Sequence, residues 1–173
     1  MTIVRITAVE IIETKIPLNP PYKLSKKYGV VAFTHPTIVK VHTDNGLVGY
    51  GETDAWVGFT SETPETVATV LRHNIAPAIL GEEATNIRKL HDTMNFIMRE
   101  NYMAKGTIDM ACYDLLGKEA GMPVYRLLGG NLYDSLPIMG AIGGETPEEA
   151  AAAALKTKAK GYHSLMVKVG RDP

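Results

Sequence analysis

A single lysine near the end of the chain carries the clearest chemical signal. Residues 164–169, Ser-Leu-Met-Val-Lys-Val, are typical of a short β-strand that places Lys168 at its carboxyl end. Side chains alternate along a strand, so Met166 and Lys168 are predicted to face the same way. In an enclosed site of low dielectric the pKa of a lysine falls, which allows it to act as a general base near neutral pH. From spacing alone, a solvated lysine at a strand end is the more common arrangement.

The elements before this lysine must position it. Residues 136–142 form a short apolar run, and Thr146 with Glu149 makes a capping box that opens an alanine-rich helix ending at Gly161. The order strand, helix, strand predicts a β-α-β unit with parallel strands, which are normally buried on both faces. Barrel enzymes carry catalytic groups at the carboxyl ends of such strands. An apolar parallel pair with bare edges is a poor end to a protein, so we expect further chain or a partner to cover it.

Composition limits the classes of function. The chain has 173 residues, 45% hydrophobic and 21% charged, which fits a globular protein with one domain, or one domain and a fragment of another. A net charge of -1 argues against a nucleic-acid or anionic-membrane partner. Cys112 is the only cysteine, no basic-then-apolar leader is present, and no apolar run is long enough to span a bilayer. We therefore expect a soluble, cytoplasmic protein.

The N-terminal part predicts a small sheet. Residues 3–14 and 37–43 are rich in β-branched residues and read as strands, and residues 47–51 return after the turn at Asn45-Gly46. These three strands predict an antiparallel meander. Residues 15–36 contain several prolines and a basic cluster and are predicted to be a loop, long enough to suggest a binding lid.

Helices are predicted to follow the sheet. Thr63 and Pro64 begin a helix over residues 63–79, Thr85 begins a second, and a third runs over residues 104–120, where Gly121 ends it. Residues 123–128 are predicted to add one further turn.

Three segments together resemble a known family. Residues 46–52 (GLVGYGE), 104–118 (AKGTIDMACYDLLGK) and 121–130 (GMPVYRLLGG) are similar to the mandelate racemase and muconate lactonizing enzyme branch of the enolase superfamily. The strand at 164–169 falls where that family has its catalytic lysine motif. The resemblance covers essentially the whole chain in order.

The resemblance implies both a fold and a reaction. The fold is an α+β capping domain over residues 1–133, an antiparallel three-stranded meander plus helices, followed over residues 134–173 by the first β-α-β unit of a modified (β/α)₈ TIM barrel. The reaction is removal of the proton alpha to a carboxylate, with Mg²⁺ stabilising the enediolate. The outcome is that of an isomerase or lyase: a racemase or epimerase, a cycloisomerase or a dehydratase acting on a small carboxylic acid. The metal ligands are expected in later barrel strands, so no metal ligand is assigned in this chain.

The resemblance gives Lys168 its role and also shows a departure. Lys168 matches the second lysine of the family's Lys-x-Lys motif, which acts as the base. Met166 occupies the position of the first lysine and cannot lower the pKa of Lys168 by repulsion between like charges. Lys168 is therefore assigned as the base, with an electrophile or a contact to the substrate carboxylate as the alternatives.

The resemblance also places two loops over the barrel mouth, namely residues 17–36 and the loop after Glu52. The predicted substrate contacts are Tyr22, Lys23, Lys26, Tyr28, Trp56 and Phe59. For the lysines a solvated loop charge is the commoner alternative, and for Trp56 a core plug is about as common as a pocket wall. The spacing of His35, His42 and Asp54 matches no ligand motif. The remaining acids singled out, all expected to be structural, are Glu10, Glu13, Asp109 and Asp114, and Cys112 is expected to be an inert core thiol.

Two functions from different classes remain. The first is the N-terminal part of a Mg²⁺-dependent enzyme of this family, with a slight preference for the lactonizing side, a homo-oligomer when complete and inactive as 173 residues alone. The alternative is a catalytically inactive truncated product or an isolated capping and dimerisation module, which would expose apolar surface near residues 136–169. The sequence does not choose a substrate.

Overall fold

The computed structural model describes residues 3–24, 27–143 and 146–167. The chain divides into two compact units, one made of Met1–Ile16 with Thr34–Gly130 and one made of Pro17–Phe33 with Asn131–Pro173. In the described part, none of the helices has the length and apolar character needed to cross a membrane.

An antiparallel three-stranded sheet lies in the first unit, as predicted. Its strands are β1 (Ile6–Glu13), β4 (Thr37–Thr43) and β5 (Val48–Thr53), in the order β1-β4-β5. The Asn-Gly turn joins β4 to β5, and Gly46 has a φ of 84°, a conformation that glycine adopts without strain. The Asn45 side chain accepts a hydrogen bond from the Leu47 amide at 3.1 Å, which closes the turn.

Two glycines allow a helix to lie directly on this sheet. Helix α4 (Tyr102–Ala120) crosses β5, where Gly49 and Gly51 both point toward the helix because they are two residues apart. A Cβ atom at Gly51 would overlap the Thr107 carbonyl oxygen, and one at Gly49 would lie 2.6 Å from Leu115 Cγ. The inner face of the sheet and the helices share one core, whose largest fully buried side chains include Ile6, Val39, Val41, Leu71, Ile75, Ile108 and Leu115.

Side chains of α4 also satisfy backbone groups of the edge strand β5. Asp114 accepts a hydrogen bond from the Tyr50 amide at 2.9 Å, and Lys118 Nζ donates to the Val48 carbonyl at 2.6 Å. Asp114 and Lys118 pair with each other at 2.6 Å, one helical turn apart. This ion pair covers two backbone groups that a further strand would otherwise use.

The helix predicted over residues 63–79 forms with a wider turn in its middle. It comprises α1 (Pro64–Val70), a π-helical turn over Leu71–Ile75 and α2 (Ala76–Ile79). Thr63 accepts a hydrogen bond from the Thr66 amide at 3.2 Å and forms a capping box with that residue. Pro77 in α2 lacks a backbone donor, and a widened preceding turn is a known way for a helix to accommodate this.

The other helices of the first unit match their predictions with one correction. Helix α3 (Ile87–Ile97) is capped by Asn86, whose side chain accepts from the Lys89 amide at 3.2 Å, and not by Thr85. Gly121 ends α4 with a φ of 63°, and α5 (Val124–Leu127) is the further turn. Asparagine caps a helix as well as threonine, so the neighbouring residue could not be distinguished from sequence.

The prediction of a loop over residues 15–36 is wrong. Strands β2 (Ile16–Lys23) and β3 (Val30–Thr34) pair with each other in a separate two-stranded sheet. Prolines argue against a central strand, but a two-stranded sheet has only edge strands, where a missing backbone donor is tolerated. The segment from β2 to β3 is named the β2–β3 arm below.

The β-α-β unit predicted at the C-terminal end is present. Strands β6 (Gly140–Ile142) and β7 (Leu165–Val167) pair in parallel, and α6 (Pro147–Ala159) connects them. Strand β6 is shorter than the predicted 136–142, because residues 136–139 have no described neighbouring strand. Apolar side chains of this unit are exposed, among them Leu136 (73%), Ile138 (74%), Leu155 (70%) and Val167 (52%). Clustered exposed apolar side chains of this kind are typical of interaction surfaces.

Candidate functional site

The residue with the strongest catalytic signal, Lys168, lies outside the described residues, as does Lys26. The structure does define the faces of the strand that leads to Lys168. A Cβ atom at Gly140 would approach Thr157 of α6 to 2.5 Å, so the Gly140 face of β6 packs on the helix. Ala141 and its register partner Met166 lie on the opposite face.

The predicted substrate-contact residues of the β2–β3 arm that the structure describes lie near the turn between its two strands. Tyr22 is half-buried and Lys23 exposed at the end of β2, and Tyr28 is 45% exposed in the turn before β3. Lys27 Nζ lies 5.6 Å from the centre of the Tyr28 ring, within the range of a cation–π contact. The sequence analysis did not select Lys27 as a contact, although it belongs to the same basic cluster.

Trp56 and Phe59, by contrast, are brought together by a tight turn. Their ring centres are 6.1 Å apart at an interplanar angle of 75°, an edge-to-face pair. The Phe59 and Thr60 amides both donate to the Trp56 carbonyl, at 2.9 and 3.0 Å. Phe59 is 55% exposed, whereas Trp56 is half-buried. Residues 54–60, between β5 and α1, are called the aromatic loop below.

Asp54 holds the base of the aromatic loop. Its Oδ2 atom accepts hydrogen bonds from Thr34 Oγ1 and from the indole Nε1 of Trp56, each at 2.6 Å. Its Oδ1 atom accepts from the His35 amide at 3.1 Å. His42 lies on the sheet and contacts Glu10 at 3.6 Å, so the triplet His35, His42 and Asp54 does not form a ligand cluster.

Sequence reasoning missed two buried charged residues beside the aromatic loop. Glu62, 6% exposed, accepts hydrogen bonds from the Met103 and Ala104 amides at 2.7 and 3.2 Å. These amides belong to the first turn of α4, and the preceding Asn101 makes no side-chain cap. Glu62, from a loop distant in sequence, therefore caps α4 in place of a local residue, and the sequence around α4 gives no signal of this contact.

Lys105, the other buried charge, is 4% exposed and closes the end of α3. Its Nζ donates to Met98 O at 2.7 Å and to Asn95 Oδ1 at 2.9 Å. Burial, and secondarily the charge of Arg99, lower the pKa of Lys105, while Glu62 acts in the opposite direction. Its position three residues before Ile108 and seven before Cys112 is the signal that places it on the buried stripe of α4.

The acids expected to be structural all make ion pairs or hydrogen bonds. Glu10 pairs with Lys40 at 3.3 Å, Glu13 with Arg72 at 2.8 Å, and Asp109 with His91 at 2.6 Å, while Asp114 pairs with Lys118 as described above. Within residues 3–24, 27–143 and 146–167, no three His, Cys, Asp or Glu side chains are grouped so that they could hold a metal ion.

The thiol of Cys112 is buried as expected. Burial, with a smaller contribution from Asp109, raises the pKa of Cys112 to about 12. The reactive thiolate is therefore scarce at neutral pH, and this side chain is part of the core.

Comparison with known proteins connects this geometry to a family. The sequence profile described as "Mandelate racemase / muconate lactonizing enzyme, N-terminal domain" matches residues 6–129. The chain is 36% identical over 168 residues to N-succinyl-L-Arg/Lys racemase of Bacillus cereus, covering 97% of this chain and 45% of the relative. The crystal structure of that organism's N-succinyl Arg/Lys racemase has a TM-score of 0.91, again covering 97% of this chain and 45% of the other.

Two further relatives show how the family's reactions vary. Hydrophobic dipeptide epimerase of Enterococcus faecalis is 35% identical over 168 residues, 96% of this chain and 46% of the relative. A crystal structure of dipeptide epimerase from the same species, complexed with Mg and L-Leu-L-Tyr, has 34% identity and a TM-score of 0.86 over 96% of this chain and 46% of the other. Chloromuconate cycloisomerase of Pseudomonas putida is 30% identical over 173 residues, 98% of this chain and 46% of the relative.

The chain spans about half the length of these relatives, at 45% and 46%. Its profile match extends over most of the first compact unit, including the sheet, α4 and the aromatic loop. The match and the identities show that the chain belongs to the mandelate racemase and muconate lactonizing enzyme family of the enolase superfamily.

Proposed function

We propose that this chain is the N-terminal part of an enzyme that racemises or epimerises an N-acylated amino acid by removing its α-proton. The relatives named above support the substrate class. An N-succinyl amino acid and the C-terminal residue of a dipeptide share one chemical unit, an acylated nitrogen and a free carboxylate on the same carbon. A cycloisomerase relative at lower identity makes the lactonizing outcome the less favoured alternative.

The observation that carries the proposal is the parallel β6–α6–β7 unit. Its strands pair Gly140 with Leu165 and Ala141 with Met166, and one face is covered by α6. Continued alternation along β7 would put Lys168 on the Met166 face, away from the helix. In barrel enzymes that face lines the interior and the strand ends carry the catalytic groups, so we assign Lys168 as the base that takes the α-proton.

In this proposal the ammonium form of Lys168 is disfavoured without the help of a lysine at position 166. Met166 supplies no positive charge, so desolvation by the surrounding barrel has to disfavour the ammonium form. We accordingly propose that the apolar side chains exposed in the second unit, such as Leu136 and Ile138, are covered by further barrel strands in the complete protein.

Magnesium is part of the proposal, but the described residues do not fit it. No group of three ligating side chains is present in the described ranges, and we propose that the ligands lie outside them. Bound Mg²⁺ would supply positive charge to the carboxylate oxygens as the α-carbon loses its proton. This chain's own contribution is the base and the loops that bind the substrate.

The aromatic loop is proposed to form one wall of the substrate pocket. Trp56 and Phe59 present a half-exposed edge-to-face pair, which suits an apolar part of the substrate. The arm residues Tyr22, Lys23, Lys26 and Tyr28 are proposed to contact its polar or anionic end. Homo-oligomer formation remains a prediction from the family.

Exchange of the α-proton tests the function directly. The complete gene product is incubated with Mg²⁺ in deuterium oxide with D- and L-forms of N-succinyl amino acids and dipeptides, and loss of the α-proton signal is followed by NMR. Racemisation also needs a group on the opposite face that returns a proton, so Lys168→Ala should abolish exchange of the enantiomer whose α-proton faces Lys168 and should abolish racemisation of both, while leaving the circular dichroism spectrum unchanged. Lys156→Ala on α6 is the matched control. Exchange of both enantiomers at the wild-type rate in Lys168→Ala would contradict the assignment of the base.

The mass of the purified protein separates this proposal from the inactive alternative. A whole barrel added to the cap predicts a species of roughly 40 kDa. A mass equal to the 18.8 kDa of these 173 residues, without exchange on any substrate, would favour a truncated product or an isolated capping module.

A further inference from the structure

One carboxylate, Asp54, joins the aromatic loop to Thr34 and His35, which lie in the same compact unit. Asp54 accepts hydrogen bonds from Thr34, the last residue of β3, from the amide of His35, and from the indole of Trp56. Both oxygens are used, with two donors at 2.6 Å on Oδ2 and one at 3.1 Å on Oδ1. Donors from two distant stretches of sequence thus converge on a single side chain.

The chemistry of the donors requires a carboxylate at this position. The indole N–H and the backbone amide can only donate, and an ionised carboxylate accepts on both oxygens. In either orientation, an asparagine would turn its NH₂ group toward one of the two donors, the His35 amide or the Trp56 indole. Its remaining oxygen is neutral and would accept from the other donor more weakly than a carboxylate oxygen does.

The ring held by this indole hydrogen bond is also the ring that Phe59 contacts. The Trp56 carbonyl accepts from the Phe59 and Thr60 amides, and the Trp56 ring packs edge-to-face on Phe59. The indole hydrogen bond therefore restricts the side chain on which Phe59 packs. Loss of that bond would free the ring pair without removing either ring.

We propose that Asp54 is a positioning residue that holds the Trp56–Phe59 pair in its substrate-binding orientation. The proposal rests on the function proposed above, in which this pair forms a pocket wall. Because the only indole donor is occupied by Asp54, Trp56 offers the substrate a ring surface and no hydrogen bond. The group it recognises is an apolar side chain or acyl chain of the N-acylated amino acid.

The test measures the order of the indole and the kinetics in the same variant. In the nitrogen-labelled complete protein, the indole N–H resonance of Trp56 is assigned by its absence from Trp56→Phe. Asp54→Asn should accelerate solvent exchange of that proton and raise KM, each by at least about 5-fold, with kcat unchanged. Asp44→Asn is the matched control, since Asp44 accepts a hydrogen bond from the Arg5 amide at 2.9 Å, away from the aromatic loop.

A double-mutant cycle distinguishes positioning from a general loss of stability. If Asp54 acts through Trp56, Asp54→Asn should add no further increase in KM to the Trp56→Phe protein. An equal increase in both backgrounds, or unchanged indole exchange in Asp54→Asn, would overturn the proposal. If Asp54→Asn did not fold, Trp56→Phe alone would decide, because unchanged KM there overturns the proposal and raised KM supports it.

Failure of the proposed function gives a different pattern. A wild-type protein inactive on every N-acylated amino acid would overturn the substrate role of the pair. Indole exchange would still accelerate in Asp54→Asn if the carboxylate holds Trp56, because that measurement contains no substrate.

Discussion

Replacing Glu62 should destabilise the first unit more than replacing any exposed glutamate in that unit. The carboxylate is 6% exposed and accepts from the Met103 and Ala104 amides at 2.7 and 3.2 Å. Glu62→Gln keeps one acceptor and turns an NH₂ group toward the other amide. The loss of one hydrogen bond to a charged group, about 1.5–3 kcal/mol, adds to the loss of charge at the helix N-terminus, up to about 2 kcal/mol. We expect a total of about 2–4 kcal/mol.

The assay combines global and local measurements. Urea unfolding followed by circular dichroism should show a midpoint lower by roughly 1–2 M, for an m-value of about 2 kcal/mol per M. Hydrogen–deuterium exchange of the peptide containing Met103 and Ala104 should accelerate, because these two amides lose their acceptor. Exchange at the C-terminal end of α4 should change only with global stability.

Glu65→Gln provides the matched control. Glu65 lies in the first turn of α1, accepts from Thr63 Oγ1 at 2.8 Å and is exposed. Its replacement makes the same chemical change at another helix start and should have a much smaller effect. Equal destabilisation by the two substitutions would refute the reasoning that the buried cap on α4 stabilises this unit.

Two further predictions concern α4. Gly51→Ala should destabilise the first unit by about 1–3 kcal/mol or more, because its Cβ would overlap the Thr107 carbonyl oxygen. Gly106→Ala should stabilise the same unit by about 0.5–1 kcal/mol, because no atom lies within 4 Å of the added Cβ. Thermal denaturation of the two variants checks both predictions. Burial lowers the folded-state pKa of Lys105, so the unfolded chain binds more protons between that pKa and the ordinary value of 10.5, and the free energy of unfolding should rise with pH across this window. Lys105→Met should remove this pH dependence of the free energy of unfolding. It should also lower stability by about 1–3 kcal/mol at neutral pH, because the Met98 carbonyl loses its donor. A pH dependence of equal size in the variant would show that another group causes it.

Local signals predicted the sheet and the helices of the first unit well. The alternation over Thr37–Thr43, the turn at Asn45-Gly46 and the stop at Gly121 each depend on a few adjacent residues, and all were confirmed. The same kind of signal misled over residues 15–36, where prolines suggested a loop. Strand formation in this segment depends on the pairing of β2 with β3, which the residues of either strand alone do not predict.

The candidate site was predicted only in part, for a similar reason. Trp56 and Phe59 were selected by residue type and lie together, but the role of Asp54 follows from Thr34 and His35, about twenty positions away in the sequence. Glu62 likewise acts on a helix that begins forty residues later. Such contacts depend on the folded topology, so the periodicity of the sequence does not predict them.

The covered edge of β5 has a consequence for biosynthesis. A ribosome adding about 5–20 residues per second would need roughly 10–50 s to make a barrel of about 250 residues. During that interval a folded N-terminal sheet with an open edge could pair with the same strand of a neighbouring nascent chain on a polysome. The Asp114–Lys118 ion pair already occupies the Tyr50 amide and the Val48 carbonyl. If a barrel follows the first unit, as proposed above, these two backbone groups of β5 are unavailable as a template for co-translational aggregation while the barrel is made.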